Sequence, residues 1–430
     1  MESLSHTEVV KLLLQLSILL ISGRLMAELA RKLKQPAVVG EILAGILLGP
    51  TVFGMISPIH FGELFPPAGP SALVFDGFVH VAVILLLFIA GLEVELNLVW
   101  QQGRQAVYTS MLGLIIPFAL GFVFPYYFAS FFGREPGADR LTFALFVGTA
   151  MSITALPVIA RILMDMNLFR TRTGMLIIAS AMINDLLGWI IFSVIISMIG
   201  TGGGEGMSLT MTIALTLGFT ILMLTAGKGV INRVLPWINR TFAWPGGLLS
   251  LSLGFCFLAA AFTEFIGIHA IFGAFILGVA LGDSEHMPER AKEIVHHFVN
   301  NIFAPIFFVS IGLKVNFAAN FDLVLVLVVL VLAFAGKIIG SGLGSYMGGY
   351  SKRESLAIGF GMNARGAMEI ILGLIALENK IIDQKFFVAL VIMALVTSMT
   401  SGPLMRMFLK PPKKLTPPDE DPMLPKRGYG

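Results

Sequence analysis

The chain has 430 residues, of which 56% are hydrophobic and only 13% charged, with a mean hydropathy of +0.88 and a formal net charge of +3. Soluble domains carry about 25% charged residues, so the composition excludes a soluble enzyme or a nucleic-acid-binding domain and places most of the chain in lipid. The lone Cys256 excludes a disulfide framework. There is no metal-ligand cluster and no phosphate-binding glycine loop, so no cofactor is expected.

Apolar runs predict about thirteen helices, at 9–31, 37–54, 74–92, 105–133, 141–163, 173–199, 208–236, 246–265, 269–282, 297–314, 322–347, 354–377 and 384–409. The first run follows acidic Glu2 and Glu8 without a basic leader, so no cleavable signal peptide is expected. With the N-terminus outside, inner loops and tail hold 21 Lys and Arg against 5 in the outer loops, an N-out/C-in topology by the positive-inside rule. The proline-rich, charged tail 411–430 reads as a short, disordered cytoplasmic segment.

Two segments repeat. VGEILAGILLG and FGAFILGVALG place Gly40, Gly45 and Gly49 at the same spacing as Gly273, Gly278 and Gly282. In the next helix of each half, FIAGLEV (88–94) matches VSIGLKV (309–315). Seven spans separate each pair. An odd separation reverses orientation, which predicts inverted-topology repeats and a transport site at mid-membrane between broken helices.

The fifth and twelfth helices are the candidates for breaking. GTAMSITALPVIARIL carries Ser152, Thr154 and Pro157; GFGMNARGAMEIILG carries Asn363, Arg365 and Glu369. Pro157 removes a backbone donor, and unwound backbone at this depth survives only in protein or at a cavity. If the segments cross, Arg365 neutralises helix C-termini and Glu369 helix N-termini.

Asp185, preceded by Asn184, is the only charge between Thr173 and Gly204. A carboxylate at mid-membrane costs at least about 2.5–3.5 kcal/mol on insertion scales. It persists there if it binds a cation when ionised and a proton when neutral. A permanent structural pairing with Arg365 or Lys337 is the blander reading. Hard cations prefer oxygen ligands, which Asn184 and the oxygens around Ser152 and Thr154 supply. Lys337 sits deep in the eleventh helix; it pairs with Asp185, titrates itself, or snorkels. Glu41, Glu93 and Glu264 lie nearer helix ends and read as structural or funnel-lining. Cys256 reads as packing.

QPAVVGEILAGILLGPTVFG, LLLFIAGLEVEL, the Asn184–Asp185 pair, HAIFGAFILGVALG and the Lys337 helix together resemble monovalent cation:proton antiporters. The resemblance is to the branch holding bacterial NapA sodium/proton antiporters, Kef potassium efflux antiporters and plant CHX exchangers, with an NhaA-like fold. It implies an all-α polytopic membrane protein of about thirteen helices with inverted repeats and crossed broken helices, forming a homodimer. It implies a scaffold of residues 1–104 and 201–318, the latter with a linker helix. A core of 105–200 and 319–410 would carry the ion in an elevator motion, and 411–430 would be the tail.

On that resemblance Asp185 matches the ion-binding aspartate for Na⁺ or K⁺. Asn184 stands where electrogenic members have a second aspartate. Lys337 matches the lysine that pairs with the site, and Thr154 with its neighbours matches the unwound crossing. The implied activity is exchange of Na⁺, or of K⁺, for H⁺ in a plasma membrane (a bacterial inner membrane), without enzyme chemistry. On this resemblance a nucleotide-gating domain like that of many Kef proteins is not expected after the membrane part, which leaves a separate regulatory subunit open. A sodium-coupled solute symporter and a regulated potassium-efflux, channel-like carrier remain alternatives.

Overall fold

The computed structural model describes residues 4–33, 35–166, 168–169, 171–200 and 209–409. The loop charges Lys34 and Arg170, the tail 411–430 and its charges, and Lys410 lie outside the described residues.

In chain order the helices are α1 (His6–Lys32), α2 (Ala37–Leu48), α3 (Phe53–Ile56), α4 (Pro58–Leu64), α5 (Pro70–Leu92), α6 (Leu96–Tyr127), α7 (Arg140–Ser152), α8 (Leu156–Asp165), α9 (Arg172–Gly200) and α10 (Leu209–Leu222). They continue as α11 (Lys228–Thr241), α12 (Gly246–Phe265), α13 (Ala270–Gly282), α14 (Glu289–Phe298), α15 (Ala304–Lys314), α16 (Leu323–Met347), α17 (Lys352–Met362), α18 (Ala367–Glu378) and α19 (Gln384–Phe408). Among the described residues eleven helical paths are long and apolar enough to cross a membrane. The short apolar α13 and the interrupted α17–α18 path add to them. The chain is a multi-pass membrane protein.

Several boundaries differ from the sequence expectation for local reasons. α5 starts at Pro70, whose fixed φ suits a first helical turn. Gly103, at φ 56°, interrupts α6 and splits off a short leading segment, a conformation that costs glycine nothing. The paths α10–α11 and α14–α15 run on through one π-helical turn each, at Met223–Gly227 and Val299–Phe303. The tenth path starts at Glu289 because its first turns are amphipathic rather than uniformly apolar.

Three glycine seams hold the bundle. A Cβ on Gly45 would lie 2.2 Å from the Val309 carbonyl, and one on Gly278 would lie 2.3 Å from the Phe88 carbonyl. Thus α2 rests against α15 and α13 against α5, backbone to backbone. The third seam runs along α16, where Gly336, Gly340 and Gly344 meet Pro117, Leu112 and Tyr108 of α6. Small residues four apart let membrane helices approach this closely, because apolar burial drives nothing in lipid.

Candidate functional site

The α7–α8 path is open at residues 153–155, and the α17–α18 path at residues 363–366. The two openings face each other. The backbone N–H of Ala155 donates to the Ala364 carbonyl at 2.9 Å, and Thr154 Oγ1 donates to the Met362 carbonyl at 2.9 Å. Pro157, in the first turn of α8, starts that helix without wasting a donor.

A helix end leaves its last four carbonyls without partners. At the C-terminus of α7 all four are taken. Thr149 O accepts from Ser152 Oγ at 2.8 Å. Ala150 O and Met151 O accept from Arg365 Nη1 and Nη2 at 2.7 and 2.5 Å, and Ser152 O accepts from Lys337 Nζ. Two buried cations therefore sit on the negative end of one helix dipole. At the α17 end Phe360 O and Gly361 O accept from backbone N–H groups and Met362 O from Thr154, without a cation. At the start of α18, Glu369 Oε2 accepts from Gly366 N at 2.9 Å, and its Oε1 lies 3.7 Å from Arg365 Nη1.

Asp185 and Asn184 project from α9 into this crossing, and both are 0% exposed. Neither carboxylate oxygen of Asp185 has a hydrogen-bond partner among the described residues. The nearest donor to the carboxylate is the backbone N–H of Leu156 at the start of α8, and the charged groups whose fields reach it are Glu369, Lys337 and Glu93. Lys337, also 0% exposed, does not pair with Asp185. Its Nζ donates to Gly113 O at 3.0 Å, to Thr154 Oγ1 at 2.7 Å and to Ser152 O. The Asn184 amide, oriented to satisfy both neighbours, accepts from Lys337 Nζ at 3.1 Å and donates to Ser110 O at 3.0 Å and Ser110 Oγ at 2.6 Å. Of the roles open to Lys337, the geometry shows no direct contact with Asp185; the ammonium is held instead by neutral oxygens of α6, α7 and Thr154.

The other expected residues are also gathered here, in roles that differ in detail. Ser152 turns its hydroxyl back onto α7 and offers its carbonyl inward. Thr154 is held between Lys337 and Met362. The Asn363 amide is buried, with neither its oxygen nor its nitrogen partnered among the described residues. Sequence reading missed Ser110, for which no signal existed. It also missed Gly113, for which Pro117 four residues on was a readable signal, since the proline cannot donate to that carbonyl.

Two cavities flank the crossing. One of about 160 Å³ is lined by Ala155, Pro157, Met368, Glu93, His296 and Asn300. Within it His296 Nε2 lies 2.9 Å from Glu93 Oε1. The second, of about 470 Å³, is lined by His80, Glu264, His269 and Glu378. Ile371 of α18 borders both, but only the smaller cavity reaches residues of the α7–α8 opening.

A membrane bundle with two interrupted helices meeting around a buried, unpartnered carboxylate belongs to the class of carrier folds. The model of the family described as "Sodium/hydrogen exchanger, transmembrane" matches residues 16–410, and the chain belongs to that family, one of transporters rather than enzymes. It is 34% identical over 417 residues to the Cation/H(+) antiporter 17 of Arabidopsis thaliana, covering 95% of this chain and 49% of that protein. It is 32% identical over 398 residues to the Na(+)/H(+) antiporter NhaS4 of Synechocystis sp., covering 91% and 96%. The chain thus spans about half the length of the Arabidopsis relative and nearly all of the Synechocystis one. The solved structure of the sodium proton antiporter MjNhaP1 from Methanocaldococcus jannaschii superposes with a TM-score of 0.69 at 18% identity, covering 94% of this chain and 100% of that one, a likeness of fold.

Proposed function

We propose that this chain is a monovalent cation/proton antiporter in which one cation and one proton compete for Asp185. The observation that carries the reading is the Asp185 carboxylate, wholly buried and, among the described residues, in an ion pair with no side chain. An ionised carboxylate without partners is too costly to keep in a dry interior. Either a cation or a proton must accompany it, and competition for one group is by itself a coupling mechanism. The names of the Arabidopsis and Synechocystis relatives support the same activity. Na⁺ is the expected ion, with K⁺ the alternative. Asn184, in place of a second carboxylate, favours one-for-one exchange.

The reading extends to architecture. The cross-packing of Gly45 on Val309 and of Gly278 on Phe88 supports inverted-topology repeats, since residues equivalent in the repeat exchange partners. Thirteen crossings, N-out and C-in, follow if α7–α8 and α17–α18 each count once. Residues 1–104 and 201–318 form the scaffold and homodimer contact, and 105–200 with 319–410 form the moving core. On this orientation Glu93 and His296 lie towards the inside, so the small cavity is the inward approach to Asp185. The protein sits in a plasma membrane, and a separate regulatory subunit remains compatible with this plan.

The test is collapse of a preset ΔpH in proteoliposomes on adding Na⁺, K⁺ or Li⁺, with the membrane potential clamped and Asp185→Asn run in parallel. A cation-specific response lost in Asp185→Asn is expected. Proton-coupled flux retained by a folded Asp185→Asn protein would overturn the assignment, and flux of an organic anion with Na⁺ would favour a symporter.

A further inference from the structure

The large and small cavities nearly meet. On α18 Ile371 borders both, and on α5 Val83 and Ile84 line the large one while Leu86 and Leu87 line the small one. The barrier between them is therefore thin. On α13, Ile271 lines the large cavity, and Phe275, one turn further in on the same face, lines neither. Trp189 of α9 lies against Phe275, with ring centroids 5.9 Å apart at 38°. This ring pair joins the proposed core to the proposed scaffold.

Each ring is fixed to its own body. A Cβ on Gly91 would lie 2.2 Å from the Phe275 carbonyl, so Phe275 is set backbone to backbone on α5. A Cβ on Gly188 would lie 2.6 Å from Ile153 Cγ1 at the α7–α8 opening, so the turn of α9 that carries Trp189 rides on the crossing. Phe192, one turn on, braces the indole edge-on at 5.7 Å. Trp189 follows Asp185 by four residues, which puts it one turn outward on the same face of α9 under the topology above. It is 1% exposed, and its Nε1 has no hydrogen-bond partner among the described residues. A buried indole N–H usually finds an acceptor. Here the bulk of the ring, not its polar edge, fixes its place.

We propose that Trp189 and Phe275 form the seal that closes the large outer cavity off from Asp185, with Trp189 the half that moves. An outward displacement of the core by one helical turn, about 5.4 Å, carries the indole past Phe275 into the large cavity and opens Asp185 to the outside. Trp189 is a positioning residue: it acts through access to Asp185, not through contact with the ion. The inference rests on the carrier reading above for its topology and its motion.

The experiment is cysteine labelling from each side of oriented proteoliposomes of the full chain, with Cys256→Ala and a reporter at Val158→Cys, which lines the small cavity. The probe is a membrane-impermeant cationic methanethiosulfonate. The parent protein should label from the inner side and hardly at all from the outer. Trp189→Ala should raise the outer rate at least about tenfold, the factor that about 1.4 kcal/mol of access barrier represents, and leave the inner rate unchanged. Phe275→Ala should do the same, while Trp189→Phe should keep the closed pattern. A parent protein already labelled from outside, or an unchanged outer rate in Trp189→Ala, overturns the proposal. So does an outer gain matched by an inner loss, which is a shift between conformations rather than an open seal. If the alanine variants fail to fold, Trp189→Leu and Phe275→Leu, which keep apolar volume and remove the ring, go through the same series, and no outer gain there also overturns it. Labelling requires no transport. A failed ΔpH assay beside a ring-dependent outer rate refutes the role of Asp185 and not the seal; an intact ΔpH response with no outer gain refutes the seal alone.

Discussion

Lys337 Nζ donates to the Gly113 carbonyl at 3.0 Å, and that carbonyl is available because residue 117 is proline. The loss of one backbone bond in α6 thereby anchors a cation carried on α16. Pro117→Ala should restore the bond from residue 117 to Gly113 and compete with Lys337 for it. Removing proline from a helix interior gains up to about 3 kcal/mol, while weakening a hydrogen bond to a buried charge loses about 1.5–3 kcal/mol. The two nearly cancel, so the unfolding midpoint should barely move while the pH profile of cation-driven exchange shifts. A large stability change with an unaltered profile would mean that Pro117 only packs.

Arg365 joins two carbonyls of α7 to Glu369 of α18 across the crossing. Arg365→Leu should destabilise the protein by about 3–5 kcal/mol, because Glu369 is then left buried without its cation. Arg365→Leu/Glu369→Leu should recover most of the loss, since the cost lies in the stranded charge. Unfolding midpoints of both variants in detergent decide this; equal loss in the two would show that the carbonyl contacts matter more than the ion pair.

The sequence carried much of this. Asp185, Asn184, Lys337, Arg365 and Glu369 stood out because charges and amides are conspicuous in apolar runs, and all five are fully buried. Pro157 and Gly366 marked the breaks for the same chemical reason that produces them. What could not be read was pairing. Which oxygen Lys337 chooses depends on the distance between α6, α9 and α16, and no pattern within one helix encodes it. The π-helical turns were equally hidden, because they leave hydropathy unchanged. The start of the tenth path was misjudged because Glu289–Phe298 is amphipathic, and a scan for uniformly apolar runs passes over it.

The glycine seams predict a graded stability series. Gly45→Ala and Gly278→Ala force a Cβ to within 2.2 and 2.3 Å of facing carbonyls, whereas Gly218 has nothing within 4 Å. Overpacking costs typically about 1–3 kcal/mol, and here the obstacle is backbone, which cannot rotate away. Both seam variants should lower the unfolding midpoint by a similar amount while Gly218→Ala leaves it unchanged or raises it. A harmless Gly45→Ala would show that α2 and α15 are not in contact.

Asp139 caps α7: its Oδ2 accepts from Thr142 N at 2.9 Å and Thr142 Oγ1 at 3.0 Å. These bonds favour the ionised form and hold its pKa below the ordinary 3.8. A folded-state pKa below the unfolded one means that this contribution is complete above the unfolded value and disappears as pH falls through the folded value. Asp139→Ala should therefore cost about 0.5–2 kcal/mol at neutral pH. The gap from the parent protein should close only under acid, below about pH 4. A gap independent of pH would assign the loss to the missing side chain rather than to its charge.

Lys314 of α15 reaches Asp76 of α5 at 3.2 Å and Glu378 of α18 at 2.8 Å. Under the proposed division Asp76 and Lys314 belong to the scaffold and Glu378 to the core, so only the second contact must break when the core moves. All three side chains are more than a quarter exposed. Such a pair contributes about 0.2–1 kcal/mol, enough to shift a two-state equilibrium by roughly 1.4- to 5-fold and no more. With a reporter cysteine at Ala261→Cys in the large cavity and Cys256 replaced, Glu378→Gln should speed thiol labelling within that range. Asp76→Asn should leave the rate nearly unchanged, because its partner travels with it. Equal acceleration by both substitutions would place Lys314 and Asp76 on bodies that move relative to each other, and the boundary between scaffold and core would then have to run between α5 and α15.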